Sequence, residues 1–172
     1  YDEVGGFTPW SVYTKGIYKD YYAAISDYTK AIELNPNYAM AFYNRGVIKN
    51  ELKDYERSIQ DYNSAIELNP NYSMAYYNRG LIKDNLGDQS GALADYTKAI
   101  EIYPEDPIAF YNRGIIYKNK EQYYKAITDY TDAIQLNPNY AEAYHNRGVI
   151  KNILKNYKGA IEDYSKSINL NP

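Results

Sequence analysis

Two short phrases return along this chain at a fixed step, and that step limits the fold more than any other feature. Asn44-Arg45-Gly46 recurs at Asn78-Arg79-Gly80, Asn112-Arg113-Gly114 and Asn146-Arg147-Gly148, always 34 residues on. Asn35-Pro36-Asn37-Tyr38 recurs from Asn69 and from Asn137, and Tyr103-Pro104-Glu105-Asp106 stands in the same frame. A period of this length marks a unit too small to bury its own apolar face. Such units are stable only as a stack. The expected organisation is a single array over residues 1–172. Full repeats occupy 35–68, 69–102, 103–136 and 137–170, after a degenerate first repeat at 1–34. In that first repeat Ala31-Ile32-Glu33-Leu34 keeps the pattern, but Ser11-Val12 replaces Arg-Gly.

Within a repeat the apolar residues fall at helical spacing. Phe42, Val47 and Leu52 predict a first helix over about 39–52, and Ile59, Tyr62, Ala65 and Ile66 a second over about 55–68. Asp54, Asp88 and Asn156 precede second helices and can accept from their free N–H groups. Pro36, Pro70, Pro104 and Pro138 follow second helices and stop them. The expected fold class is therefore all-α.

The period, the Asn-Arg-Gly phrase, the Gly46/Ala65/Pro70 spacing and the Asp-Tyr-x-x-Ala-Ile run resemble the tetratricopeptide repeat (TPR) family. The Asn-Arg-Gly style resembles its bacterial members. The resemblance implies an α-solenoid of antiparallel helix pairs, part of a right-handed superhelix, with the first helices lining a concave groove. By the same resemblance Tyr28, Tyr62, Tyr96, Tyr130 and Tyr164 fall in a buried aromatic column. Each hydroxyl of that column then needs a wet edge or a partner.

Two further columns read as packing. Gly46, Gly80, Gly114 and Gly148 sit inside helices, where Gly costs about 1 kcal/mol relative to Ala. They are expected to admit a close partner helix through small residues such as Ala92, Ala126 and Ala160. Arg45, Arg79, Arg113 and Arg147 lie near the core and need counter-charges. Asp27, Asp61, Asp95, Asp129 and Asp163 supply one per repeat. Pairing within a repeat strands Asp27, and pairing with the next repeat strands Asp163. The second scheme is slightly preferred.

The expected groove columns are Asn44, Asn78, Asn112 and Asn146; Tyr43, Tyr77, Tyr111 and His145; and Val47, Leu81, Ile115 and Val149. A side-chain amide carries donor and acceptor together, so an Asn in every full repeat can grip a peptide bond in both senses. The family resemblance implies such a ladder holding an extended peptide, with Tyr and aliphatic neighbours touching its side chains. The family's other groove chemistry is a cationic clamp for a terminal carboxylate. It is absent: Tyr43, Val47, Asn78, Ile108 and Asn112 occupy its positions, and only Asn78 matches. The other two frames fail likewise.

Composition narrows the rest. With no Cys and the single His145, neither a thiol nucleophile nor a multi-histidine metal site can form. No phosphate loop or nucleophile elbow is present. The expectation is no enzyme, no metal and no cofactor. A net charge of -3 argues against nucleic acid. No apolar run approaches the ~18 residues of a membrane span. The start lacks a basic and an apolar signal region, so it does not read as a signal peptide, and because it also lacks an initiator Met the chain reads as an excised or processed segment. Its compartment is not encoded; the cytoplasm is the default and the periplasm stays open. Trp10 is expected to cover one end of the stack, and Ile161 and Ile168 to be exposed at the other. The function expected is a protein-interaction scaffold that binds an extended peptide segment. The alternatives are a segment that stacks into homo-oligomers through open ends, or the targeting arm of a larger enzyme. Of the 24 tyrosines, 17 fall in five recurring columns, so their excess is mostly packing multiplied by repetition.

Overall fold

A computed structural model describes residues 9–171, with side chains from residue 20 onward. The side chain of Trp10, expected to cover one end of the stack, therefore lies outside the described ones. The described residues form nine helices and no strand: α1 Pro9–Leu34, α2 Ala39–Glu51, α3 Tyr55–Leu68, α4 Ser73–Asn85, α5 Gln89–Ile102, α6 Pro107–Asn119, α7 Tyr123–Leu136, α8 Ala141–Ile153 and α9 Tyr157–Leu170. The chain is an all-α solenoid of helix pairs. It divides into two compact units, residues 1–70 with α1–α3 and residues 71–172 with α4–α9.

Each full repeat is one antiparallel pair: α2 with α3, α4 with α5, α6 with α7 and α8 with α9. Short connections force this arrangement. Asp54, Asp88 and Asn156 cap α3, α5 and α9 by accepting from the backbone N–H of Arg57, Gly91 and Gly159. The turn between paired helices needs a left-handed residue. Gly87 takes it without a Cβ penalty, whereas Lys53, Glu121 and Lys155 take it at φ near 60°.

The first repeat departs from this plan. Pro9–Leu34 is one continuous helix of 26 residues instead of a pair. In the full repeats the paired helices meet at the glycine column. A Cβ on Gly46 would come within 2.9 Å of Cε1 of Tyr62, so the pair closes only on a bare backbone. In the first repeat the sequence has Val12 in this column instead of glycine. With no pair to close, Tyr28 is half-buried and Asp27 is exposed, while Tyr62 is fully buried.

The sequence points to Ala92, Ala126 and Ala160 as neighbours of the glycines. The atoms nearest to a Cβ at each glycine belong to the rings of Tyr62, Tyr96, Tyr130 and Tyr164 and to the Cβ atoms of the adjacent Asp61, Asp95, Asp129 and Asp163. Those alanines are buried nearby; Ala92 with Tyr96 and Ile116, and Ala126 with Tyr130 and Ile150, form successive layers. Between repeats of the second unit, Ile100, Ala109, Phe110, Ala133, Ile134 and Ala143 make one cluster. In the first unit Ser58 takes the alanine position, and its hydroxyl donates to the Gly46 carbonyl at 2.7 Å.

The buried tyrosines also differ from expectation. Among the described residues the Tyr96 and Tyr130 hydroxyls find neither water-exposed edge nor hydrogen-bond partner. Burial, with nearby carboxylates and a neighbouring tyrosine, pushes both phenols far above the usual range. An unpaired buried hydroxyl costs about 1–3 kcal/mol. Replacing Tyr96 by Phe should therefore raise unfolding free energy by roughly 1 kcal/mol. A urea melt with a lower midpoint than the parent would contradict this.

Candidate functional site

The arginines are structural. Arg45, Arg79, Arg113 and Arg147 each form a two-point pair with the Asp sixteen residues on, Nη2 to Oδ1 at 2.6–2.7 Å and Nε to Oδ2 at 2.9–3.0 Å. Pairing is therefore within the repeat, which corrects the preferred scheme, and the carboxylate with no arginine in its own repeat is the exposed Asp27. The reason is local: the glycine beside each Arg brings its own repeat's second helix closest. The preceding repeat contributes a hydroxyl instead. Nη1 of Arg45, Arg113 and Arg147 donates to Thr29, Thr97 and Thr131. Lys49, Lys83 and Lys151 add a second cation to Asp61, Asp95 and Asp163 at 2.6–2.8 Å. Neither the Thr nor the Lys column was anticipated from sequence, although both recur with the period.

The first helices of the second unit, α4, α6 and α8, present the expected groove residues on one face. Tyr77 packs its ring against Tyr96 and Tyr111 against Tyr130, with centroids 5.8 and 5.7 Å apart. Their hydroxyls meet the asparagines one repeat on. Asn112 Nδ2 donates to Tyr77 Oη at 2.9 Å, and Asn146 Nδ2 to Tyr111 Oη at 2.8 Å. Lys118 Nζ donates to Asn146 Oδ1 at 3.0 Å. The ladder thus links three helices from within. Burial, then the charges of Asp106 and Glu142, push the Tyr77 and Tyr111 phenols up, and the asparagine bonds offset part of this.

Other groove residues vary in access. His145 replaces tyrosine in its column, is exposed, and keeps the ring contact, 5.7 Å from Tyr164. Leu81 packs on the Tyr96 layer and Ile115 on the Tyr130 layer, so both are partly spent on the core. Val149 and Asn78 are half-buried. In the first unit Asn44 and Val47 are half-buried, while Tyr43 is only 8% exposed against Tyr62. Met40, Met74 and Ile108 on these helices lie outside the expected groove columns and are about half exposed. They stand three residues before Tyr43, Tyr77 and Tyr111, a spacing that puts them on the same face and that could have found them. A cleft of about 290 Å³ continues this face along α8 and α9, lined by Tyr111, Glu142, His145, Asn146, Ser167 and Ile168.

No group of three His, Cys, Asp or Glu among the described residues could hold a metal ion. No described helix is long and apolar enough to cross a membrane.

Comparison with known proteins agrees with this architecture. No curated protein sequence matches significantly. Among solved structures, a crystal structure of MamA superposes with a TM-score of 0.82 at 20% identity, covering 96% of this chain and 95% of that one. MamA residues 41 to the end from Desulfovibrio magneticus RS-1 gives 0.78 at 24% identity, covering 87% and 85%. YrrB, described as a TPR protein with an unusual peptide-binding site, gives 0.77 at 23% identity, covering 91% and 81%. At these identities the likeness is one of fold. Family models described as tetratricopeptide repeat match residues 39–72, 107–140 and 141–172, and another matches 62–94. A model described as TPR repeat matches 19–52 and 85–121. With 34-residue helix pairs, a glycine–tyrosine seam in each and family matches along nearly the whole chain, this protein belongs to the tetratricopeptide repeat family.

Proposed function

We propose that the chain is a non-catalytic protein-interaction scaffold that holds an extended peptide segment of a partner on the face of its first helices. The observation that carries this is the tyrosine–asparagine ladder. Each Tyr hydroxyl accepts one N–H of an asparagine and so fixes the amide's orientation. A primary amide has two N–H donors and a carbonyl. Asn112 thus keeps a second donor and its Oδ1 for a peptide group, and a pre-oriented amide loses less entropy on binding. Met74 and Ile108 flank the ladder and offer contact to ligand side chains. The fold likeness to YrrB, a TPR protein with a peptide-binding site, supports the same reading.

Two double variants test it against peptides selected on the chain from a displayed library. Replacing Asn112 and Asn146 by Ala removes the amides. Replacing Tyr77 and Tyr111 by Phe removes only the internal bonds. Two lost hydrogen bonds at about 1 kcal/mol each correspond to roughly 30-fold weaker binding for the asparagine variant. The tyrosine variant should stay within a few-fold of the parent. Parent-like affinity in the asparagine variant, with its fold intact by circular dichroism, would defeat the reading.

A further inference from the structure

The charges on this face suggest what kind of segment it takes. Three carboxylates accompany the ladder in the second unit: Asp84 on α4, Asp106 at the start of α6 and Glu142 on α8. Asp106 caps α6 by accepting from the Ile108 N–H. Asp106 and Glu142 both act electrostatically on Tyr140, whose ring lies 4.8 Å from Tyr111. Asp84 holds the position that Lys118 holds one repeat later. Lys118 is a cation on this face, and its ammonium is already bonded to Asn146 Oδ1. The arginines cannot neutralise the carboxylates, because each is bound to its own repeat's aspartate. What remains is a net negative surface set among tyrosine rings. Lys118 also shows that an ammonium can sit against the ladder's amides.

A tyrosine face attracts a cation through the ring's quadrupole, and carboxylates nearby add charge attraction. An acidic peptide would meet repulsion from three carboxylates, and a neutral one would gain nothing from them. We propose that the face of α4, α6 and α8 selects a basic extended segment. A Lys or Arg side chain would enter the cleft at Tyr111, Glu142, His145 and Asn146, and further cations would lie along Asp106 and Asp84. This rests on the peptide-holding role given above and adds the partner's chemistry.

The test uses three fluorescein-labelled 12-residue peptides of alternating sequence, Lys-Ala, Gln-Ala and Glu-Ala, titrated with the 172-residue chain and followed by anisotropy. The lysine peptide should bind at least tenfold tighter than the glutamine one, the glutamate peptide should bind weakest, and the preference should shrink as salt rises. Replacing Asp106 by Asn and Glu142 by Gln together should abolish most of the preference; Asn at 106 keeps the helix cap. Replacing the exposed Glu121 and Glu162 by Gln changes net charge equally and should leave the preference in place. If lysine and glutamine peptides bind alike and the asparagine variant weakens both, the charge inference falls while the peptide-holding role stands. If the two pairs of charge variants behave the same, the attraction is general and the inference falls. If no peptide binds, both fall.

Discussion

Arg113→Ala should destabilise the second unit by about 3–5 kcal/mol, more than the same change at Arg147, because it leaves a buried carboxylate without a cation. The Asp129 side chain is 3% exposed and that of Arg113 is 15% exposed. Arg113 gives Asp129 two hydrogen bonds, and their charge assistance raises the guanidinium pKa against the opposing effect of burial. Asp163 has a second partner, Lys151, at 2.8 Å. In the repeat of Asp129 that lysine position is Tyr117, and a cleft of about 190 Å³ opens beside it, lined also by Arg113, Lys125, Thr128 and Asp129. Losing Arg147 therefore still leaves Asp163 a charged donor, and the cost should be nearer the 1.5–3 kcal/mol of a charged hydrogen bond. Guanidinium unfolding of the two variants measures the difference, and equal costs would contradict it. In a Tyr117→Lys background the Arg113→Ala cost should fall to the Arg147 level. The pair at Asp163 also sets a pH dependence. Burial raises its carboxyl, but hydrogen bonds from Arg147 and Lys151 outweigh this and hold the pKa below the usual value. A lowered folded-state pKa gives stability that is present above the unfolded value of about 3.9. That stability drains as pH falls through the lower folded value.

The periodic sequence made some levels of this structure readable and hid others. Helix limits came from apolar spacing and caps. The expected Tyr55–Leu68 helix and the caps at Asp54, Asp88 and Asn156 all appear, because both signals act over one turn of chain. Partner choice was not readable. A period of 34 repeats every offset between columns, so Arg45 stands in phase with both Asp27 and Asp61, and only the three-dimensional closeness set by Gly46 decides. The ladder was hidden for the same reason. Asn112 and Tyr77 are 35 residues apart, and sequence placed them in separate columns rather than in one bond. Of the asparagines expected to line the groove, Asn146 already uses both its Nδ2 and its Oδ1 within the chain. The single helix of the first repeat was also unexpected.

That glycine column carries the second large effect. An alanine at 114 would place its Cβ 2.8 Å from Cε1 and 3.0 Å from Cδ1 of Tyr130, and 3.3 Å from Cβ of Asp129. Real Cβ atoms do not approach carbon so closely, so something must yield. Tyr130 cannot swing away, because it is fully buried between Ala126 and Ile150 and its ring is held by Tyr111. Asp129 cannot retreat without loosening its bonds to Arg113. The helices must then separate, which opens a gap along the whole pair. Alanine gains about 1 kcal/mol of helix propensity over glycine, while overpacking costs typically 1–3 kcal/mol and strain on the ion pair adds to it. Gly114→Ala should lower unfolding free energy by about 1–2 kcal/mol, against the sign that propensity alone gives. Gly114→Val, with two further methyl groups against the same ring, should lose more. A control at Gly159 separates packing from propensity: it too is helical, but its near neighbours are the side chains of Asn156 and Lys151 rather than a buried ring. If Gly114→Ala melts at or above the parent midpoint, the seam is looser than its distances imply.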